Sequence, residues 1–140
     1  MGTLTSGHRL RVAAYHQLPL LPSWHPCHKP HGHDYDLEIE LRAPRELVTD
    51  DVTRDLRVAT GTLAGAHGPL HMQELGSLDG MDRLRSDSAA LASWVHQWAS
   101  DQLPDGLGDY LLVRVQAPAV ERVAAVHHGP LAAESSTTDG

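Results

Sequence analysis

The residues of this chain best suited to chemistry lie in Cys27-His28-Lys29-Pro30-His31-Gly32-His33, with His16 upstream. Two histidines spaced two apart on an extended segment send their imidazoles to the same side. Neutral imidazole is a good zinc ligand. A catalytic zinc takes three protein ligands and keeps one position open for water or substrate. Three imidazoles favour zinc over harder cations. Cys27 is the single cysteine, so it has no intrachain disulfide partner and is a free thiol, a ligand or a catalyst. The chain carries eleven histidines, so the argument rests on spacing and shared faces rather than on number. His25 and His28 read as exposed loop residues. A zinc finger is not indicated, because no second Cys/His pair stands at finger spacing.

The elements around these residues must bring them together. From Leu10 to Leu18 apolar residues alternate through Leu10, Val12 and Ala14, and His16 shares their parity. This predicts a strand with one buried face and His16 on it. Pro19 to Pro30 is proline-rich and reads as an ordered loop. A second strand follows, with Tyr35, Leu37, Ile39 and Leu41 on one side and Asp34, Asp36, Glu38 and Glu40 on the other. Extended backwards, the parity puts His31 and His33 on the apolar face, beside His16. Asp50 or Asp51 can cap a helix carrying Val52, Leu56, Ala59 and Leu63. A second helix runs from about Ser88, with Leu91, Trp94, Val95 and Trp98 on its apolar side, and stops at Pro104-Asp105-Gly106. Tyr110 to Gln116 and Val120 to His127 read as two closing strands, with a tight turn near Pro118.

The expected fold is α+β, in the order ββααββ: a four-stranded antiparallel sheet with both helices on one face. Residues 1–128 form the domain, and the small, polar residues 129–140 read as a disordered tail. A sheet of this kind has two open edges, which are a liability in a monomer; closure of edges between copies predicts a homo-oligomer. A length of 140 residues suits one domain. The net charge of −7 and the lone lysine, Lys29, give no basic face for nucleic acid. No apolar run spans a bilayer and no signal-peptide pattern is present, so the expected setting is the cytoplasm and the expected partner a small-molecule substrate. The lack of phenylalanine and asparagine and the wealth of alanine, arginine and aspartate fit GC-rich codons.

These residues resemble the 6-pyruvoyl-tetrahydropterin synthase family, and most closely its 6-carboxy-tetrahydropterin synthase branch. The first strand matches as Val12-Ala13-Ala14-Tyr15-His16, and the loop carries the branch's cysteine-x-x-x-His-Gly-His pattern at Cys27, His31 and His33. Asp34-Tyr35 and Val48-Thr49-Asp50 fit family positions, and Ala64 to Leu70 aligns with a Leu-Asp-His-x-x-Leu segment. The resemblance covers about residues 8–128. It implies the tunnelling fold, in which subunits form trimeric barrels that stack into hexamers. It also implies zinc on His16, His31 and His33, an active thiol at Cys27, an acid/base histidine at His67 and lyase or cyclase chemistry on a dihydropterin.

Three departures bear on substrate and activity. The aspartate that precedes the catalytic histidine in the family is Ala66 here, so His67 lacks an orienting carboxylate. The ring-gripping glutamate aligns with Gln116, and the threonine after it with Ala117. An amide offers one acceptor and one donor side, where a carboxylate accepts twice, so Gln116 as substrate anchor suits a different ligand edge. The Pro-Thr-x-Glu entry to the second helix becomes Arg85-Ser86-Asp87-Ser88, in which Ser86 and Ser88 can still cap. Alongside pterin chemistry stand two other readings: a repurposed relative acting on a non-pterin metabolite, and a catalytically inactive metal-bound subunit. Trp24, near Cys27, reads equally as pocket mouth or core.

Overall fold

The computed structural model describes residues 2–117 and 123–132, with the side chains of Cys27 and Val123 outside that description. Four strands, β1 (Thr3–His16), β2 (His31–Pro44), β3 (Leu111–Ala117) and β4 (Val123–His128), form one antiparallel sheet in the order β1-β2-β3-β4. Between β2 and β3 run two helices, α1 (Asp50–Ala64) and α2 (Ser88–Asp101). The arrangement is the expected ββααββ, with α1 over β1 and α2 over β3 and β4.

Alternation in the strands decides which face is buried. Val12 and Ala14 of β1, Tyr35, Leu37, Ile39 and Leu41 of β2, and Leu111, Val113 and Val115 of β3 all lie on the helix side and are buried. Val52, Leu56 and Leu63 of α1 and Leu91, Val95 and Ala99 of α2 close over them. The opposite face is polar. Its carboxylates meet arginines: Arg11 on Asp36 at 2.8 Å, Arg9 on Glu38 at 3.3 Å, Arg42 on Glu40 at 3.0 Å, and Arg114 on both Glu38 and Glu40 at 3.2 and 3.0 Å.

Strand β1 begins seven residues earlier than apolar alternation indicates. Its first half is an exposed edge that has no apolar side to display, yet it stays in register with β2 as far as Thr3 opposite Pro44. Gly7 faces Glu40 there; a Cβ at this glycine would lie 2.8 Å from the Glu40 Cγ. The strand also ends at His16, not Leu18. Near that end its outer edge is covered, with Met72 N–H donating to the Ala13 carbonyl at 2.7 Å and Tyr15 N–H to the Gln73 carbonyl at 3.0 Å.

The helix caps differ from the expected ones by one residue each. Thr49, not Asp50 or Asp51, caps α1 by accepting from Val52 N–H at 3.2 Å, and the two aspartates occupy the first turn, where negative charge complements the helix dipole. Asp87 caps α2 by accepting from Ala90 N–H at 2.9 Å, between the two serines expected there. The turn near Pro118 and the start of β4 at Val120 lie outside the described residues. After β4 the chain does not leave the body at once. Gly129 donates to the Leu111 carbonyl, Leu131 donates to that of Asp109, and Ala132 is buried; residues 133–140 lie outside the described ones. Among the described residues no helix is long and apolar enough to cross a membrane.

Candidate metal centre

His16 is the last residue of β1 and pairs directly with His31, the first of β2, while Ala14 pairs with His33. Residues directly opposite in an antiparallel pair share a face, as do residues two apart on one strand. Register alone therefore puts the three imidazoles on the helix side, at the loop end of the β1–β2 hairpin. Their Nε2 atoms converge: His16 to His31 at 3.1 Å, and His31 to His33 at 2.7 Å. The rings meet edge to face at centroid distances of 4.6, 4.9 and 4.4 Å.

The outer nitrogens explain why the inner ones point together. His16 Nδ1–H donates to the Ser86 carbonyl at 2.7 Å, and His31 Nδ1–H donates to the Lys29 carbonyl at 2.9 Å. A carbonyl only accepts, so in both rings the proton sits on Nδ1 and the lone pair on Nε2. Two lone pairs 3.1 Å apart repel unless a cation lies between them. Nitrogens about 2.0–2.1 Å from one tetrahedral zinc stand about 3.3 Å apart; the His16–His31 separation of 3.1 Å is close to this, that of 2.7 Å is shorter, and all three ligand atoms lie within 4.8 Å of one another. Histidine donors whose far N–H is held by a backbone carbonyl are a usual feature of protein metal sites. The donor set fits zinc, and among the described residues these three are the group of histidine, cysteine and acidic side chains that could hold an ion.

Burial keeps the ligands in the form that binds metal. His16 is only 5% exposed, and burial lowers its pKa below the usual histidine value; the Ser86 carbonyl and Asp87 oppose this, while His31 adds to it. Burial likewise lowers the pKa of His33, followed by the like charges of His16 and His31. Both are neutral at neutral pH. The His33 Nδ1 and the Ser86 hydroxyl are buried without a hydrogen-bond partner among the described residues.

The other expected site residues are placed differently. Cys27 lies on the 3-10 turn Pro26–His28, within the connection that joins His16 to His31; its side chain is not described. His67 is exposed on the turn that follows α1, and among the described residues no hydrogen bond or ring contact ties it to the triad. Gln116 stands on the opposite face of the sheet. It pairs with Asp36, not with a residue of the histidine face, and lines an open cleft of about 590 Å³ with Arg9, Glu38 and Arg114. The structure therefore does not bring Gln116 to the triad of its own chain; the next residue, Ala117, faces the triad's side of the sheet. Trp24 is 78% exposed and takes no part in the core. His25 and His28 are half-buried rather than exposed, and His28 binds the Leu21 carbonyl at 2.9 Å, bracing the proline-rich loop. Two contributors escape a reading of side-chain types, the carbonyls of Ser86 and Lys29.

A ββααββ sheet with three histidines grouped at the end of its first hairpin, where they could hold a metal ion, defines a protein of the tunnelling-fold class. The family model for 6-pyruvoyl tetrahydropterin synthase matches residues 3–132, and the chain belongs to that family. Solved structures agree on the fold. The Caenorhabditis elegans 6-pyruvoyl tetrahydropterin synthase superposes with a TM-score of 0.65 at 16% identity, covering 92% of this chain and 97% of that one. The enzyme from Plasmodium falciparum, and a catalytic-residue mutant of that from Plasmodium vivax, give TM-scores of 0.61 and 0.60, each at 8% identity over 91% of this chain and 99% of the other. No protein of curated function matches the chain significantly.

Proposed function

We propose that this chain is a zinc-dependent lyase or cyclase of the tetrahydropterin-synthase type, acting on a dihydropterin or a related small metabolite. The observation that carries the reading is the convergence of three Nε2 atoms, two of them fixed as lone-pair donors by backbone carbonyls. His16, His31 and His33 hold the ion. Bound there, zinc supplies Lewis-acid polarisation of oxygens on a substrate side chain. The remaining chemistry belongs to proton-moving groups. Cys27 is the proposed base: a thiol near imidazoles and a cation ionises more readily, and its turn lies in the loop whose two ends carry the ligands. His67 is the second proposed acid/base group, since imidazole trades protons near neutral pH. Its exposure after α1 suits service to a site in another copy of a homo-oligomer. Gln116, turned to the other sheet face, is a substrate anchor only if a neighbouring copy's ligand reaches that cleft. The proposed setting is cytoplasmic.

A second reading is favoured by particular residues. Ala66 removes the carboxylate that would orient His67, and Gln116 replaces a carboxylate with an amide. Both changes spare the metal ligands, as expected of a relative repurposed for a non-pterin metabolite or retained as an inactive metal-bound subunit.

Metal analysis and product analysis separate these readings. Purified protein is expected to hold stoichiometric zinc, and His31→Ala to lose it. Equal metal content in the two overturns the site. Incubation with dihydroneopterin triphosphate is expected to give a side-chain-altered pterin, with Cys27→Ala lowering turnover about 10²-fold or more, the lower end of general acid–base contributions. Absence of turnover by the zinc-loaded protein favours the repurposed or inactive relative.

A further inference from the structure

We propose that Asp87, which is not a metal ligand, is a positioning residue for the histidine centre: its cap on α2 fixes the Ser86 carbonyl against His16, and its carboxylate supplies negative charge behind that imidazole. The inference rests on the metal centre proposed above.

The geometry begins with one peptide unit. The carbonyl that accepts from His16 Nδ1–H belongs to Ser86, and its plane is shared with the Asp87 nitrogen. Ser86 is wholly buried, so this 2.7 Å bond lies away from water. Asp87 is held on its helix side by two bonds. Its carboxylate accepts from Ala90 N–H and its carbonyl accepts from Leu91 N–H, both at 2.9 Å. They set Asp87 in the extended conformation of an N-cap, φ −88° and ψ −174°. The direction of the Ser86 carbonyl is thereby tied to the end of a fourteen-residue helix packed on β3 and β4. By contrast, His31 leans on the Lys29 carbonyl of an exposed loop. His16 is the ligand whose orientation the helix end dictates.

Charge points the same way. A cation on Nε2 makes the imidazole more positive and its Nδ1–H a stronger donor. Carboxylates placed behind metal-bound histidines raise their basicity and fix their rotation. Here the carboxylate stands one peptide unit away, on the residue next to the carbonyl that accepts from His16.

The test uses the full chain and reads zinc affinity by competition with a chromophoric chelator, alongside thermal melting of the metal-free protein. Asparagine caps helices about as well as aspartate, so Asp87→Asn keeps the cap and removes the charge; Asp87→Ala removes both. Asp87→Asn is expected to melt like wild type yet bind zinc several-fold more weakly. For Asp87→Ala the expected loss is about tenfold or more, the usual cost of removing an outer partner of a metal ligand. His31→Ala serves as the control that abolishes the site. Zinc binding by Asp87→Asn within twofold of wild type, while His31→Ala loses zinc, overturns this proposal and leaves the metal centre standing. A wild-type chain that binds no zinc overturns both. Should Asp87→Ala fail to fold, Asp87→Asn alone decides.

Discussion

At the scale of single residues, the centre depends on imidazoles that stay neutral. His16 and His33 have pKa values lowered in the folded protein, chiefly by burial. In the unfolded chain they titrate near the ordinary histidine value of about 6.5. Between the folded and unfolded values, the unfolded chain binds more protons. Their contribution to stability is therefore fully present above about pH 6.5 and is lost as pH falls towards the lowered folded values. The metal-free protein is expected to show a lower urea midpoint at about pH 5.5 than at about pH 7.5; equal midpoints contradict the assignment. Loaded with zinc, it should lose metal over the same acid range, because protons compete for Nε2. Most of this centre is legible in residue types. The parity of Leu10, Val12 and Ala14 carries His16 to the right face, and that of Tyr35, Leu37 and Ile39 carries His31 and His33. The carbonyl partners are not legible, because any residue has a carbonyl and only the folded loop decides where it points. Gln116 is selected by family alignment, and the parity of Leu111, Val113 and Val115 turns it to the sheet face opposite the triad of its own chain.

At the scale of elements, the sheet and helices follow from patterning, while their ends follow from local hydrogen bonds. Apolar spacing locates α1 and α2 but does not choose among Thr49, Asp50 and Asp51, all competent caps. The first half of β1 shows no alternation and is recruited by its register with β2, a long-range pairing that leaves little mark on its own residues. The end of β4 is similar. Gly129 reads as the start of a small, polar tail, yet it is pressed onto the turn before β3: a Cβ there would come within 2.4 Å of the Gly108 carbonyl oxygen and 2.6 Å of that of Asp109. These are backbone atoms, which cannot swing aside. Gly129→Ala is expected to destabilise the protein by about 1–3 kcal/mol, the usual range for overpacking, read from urea unfolding; an unchanged midpoint would mean that this stretch does not hold β4 in place.

At the scale of the whole molecule, the sheet is unfinished on its own. β1 and β4 are its outer strands, and among the described residues the cover lies on the His16 end of β1, from residues 72–74. Open edges of this length invite pairing with another chain, so light scattering after gel filtration is expected to give a multiple of 15.2 kDa; a stable monomer at micromolar concentration contradicts this. The placement of the triad also bears on how the chain reaches its fold. Residues 17–30 separate the last residue of β1 from the first of β2, and ligands stand at both ends of that span. An ion held by the proposed ligands His16, His31 and His33 would act as a removable cross-link, closing the loop of the β1–β2 hairpin. Such a clasp offsets the chain entropy lost when the two ends meet. Refolding from urea should accelerate when zinc is added before dilution, with His31→Ala indifferent to it; equal rates for the wild-type chain would show that the hairpin closes after, and without help from, its metal.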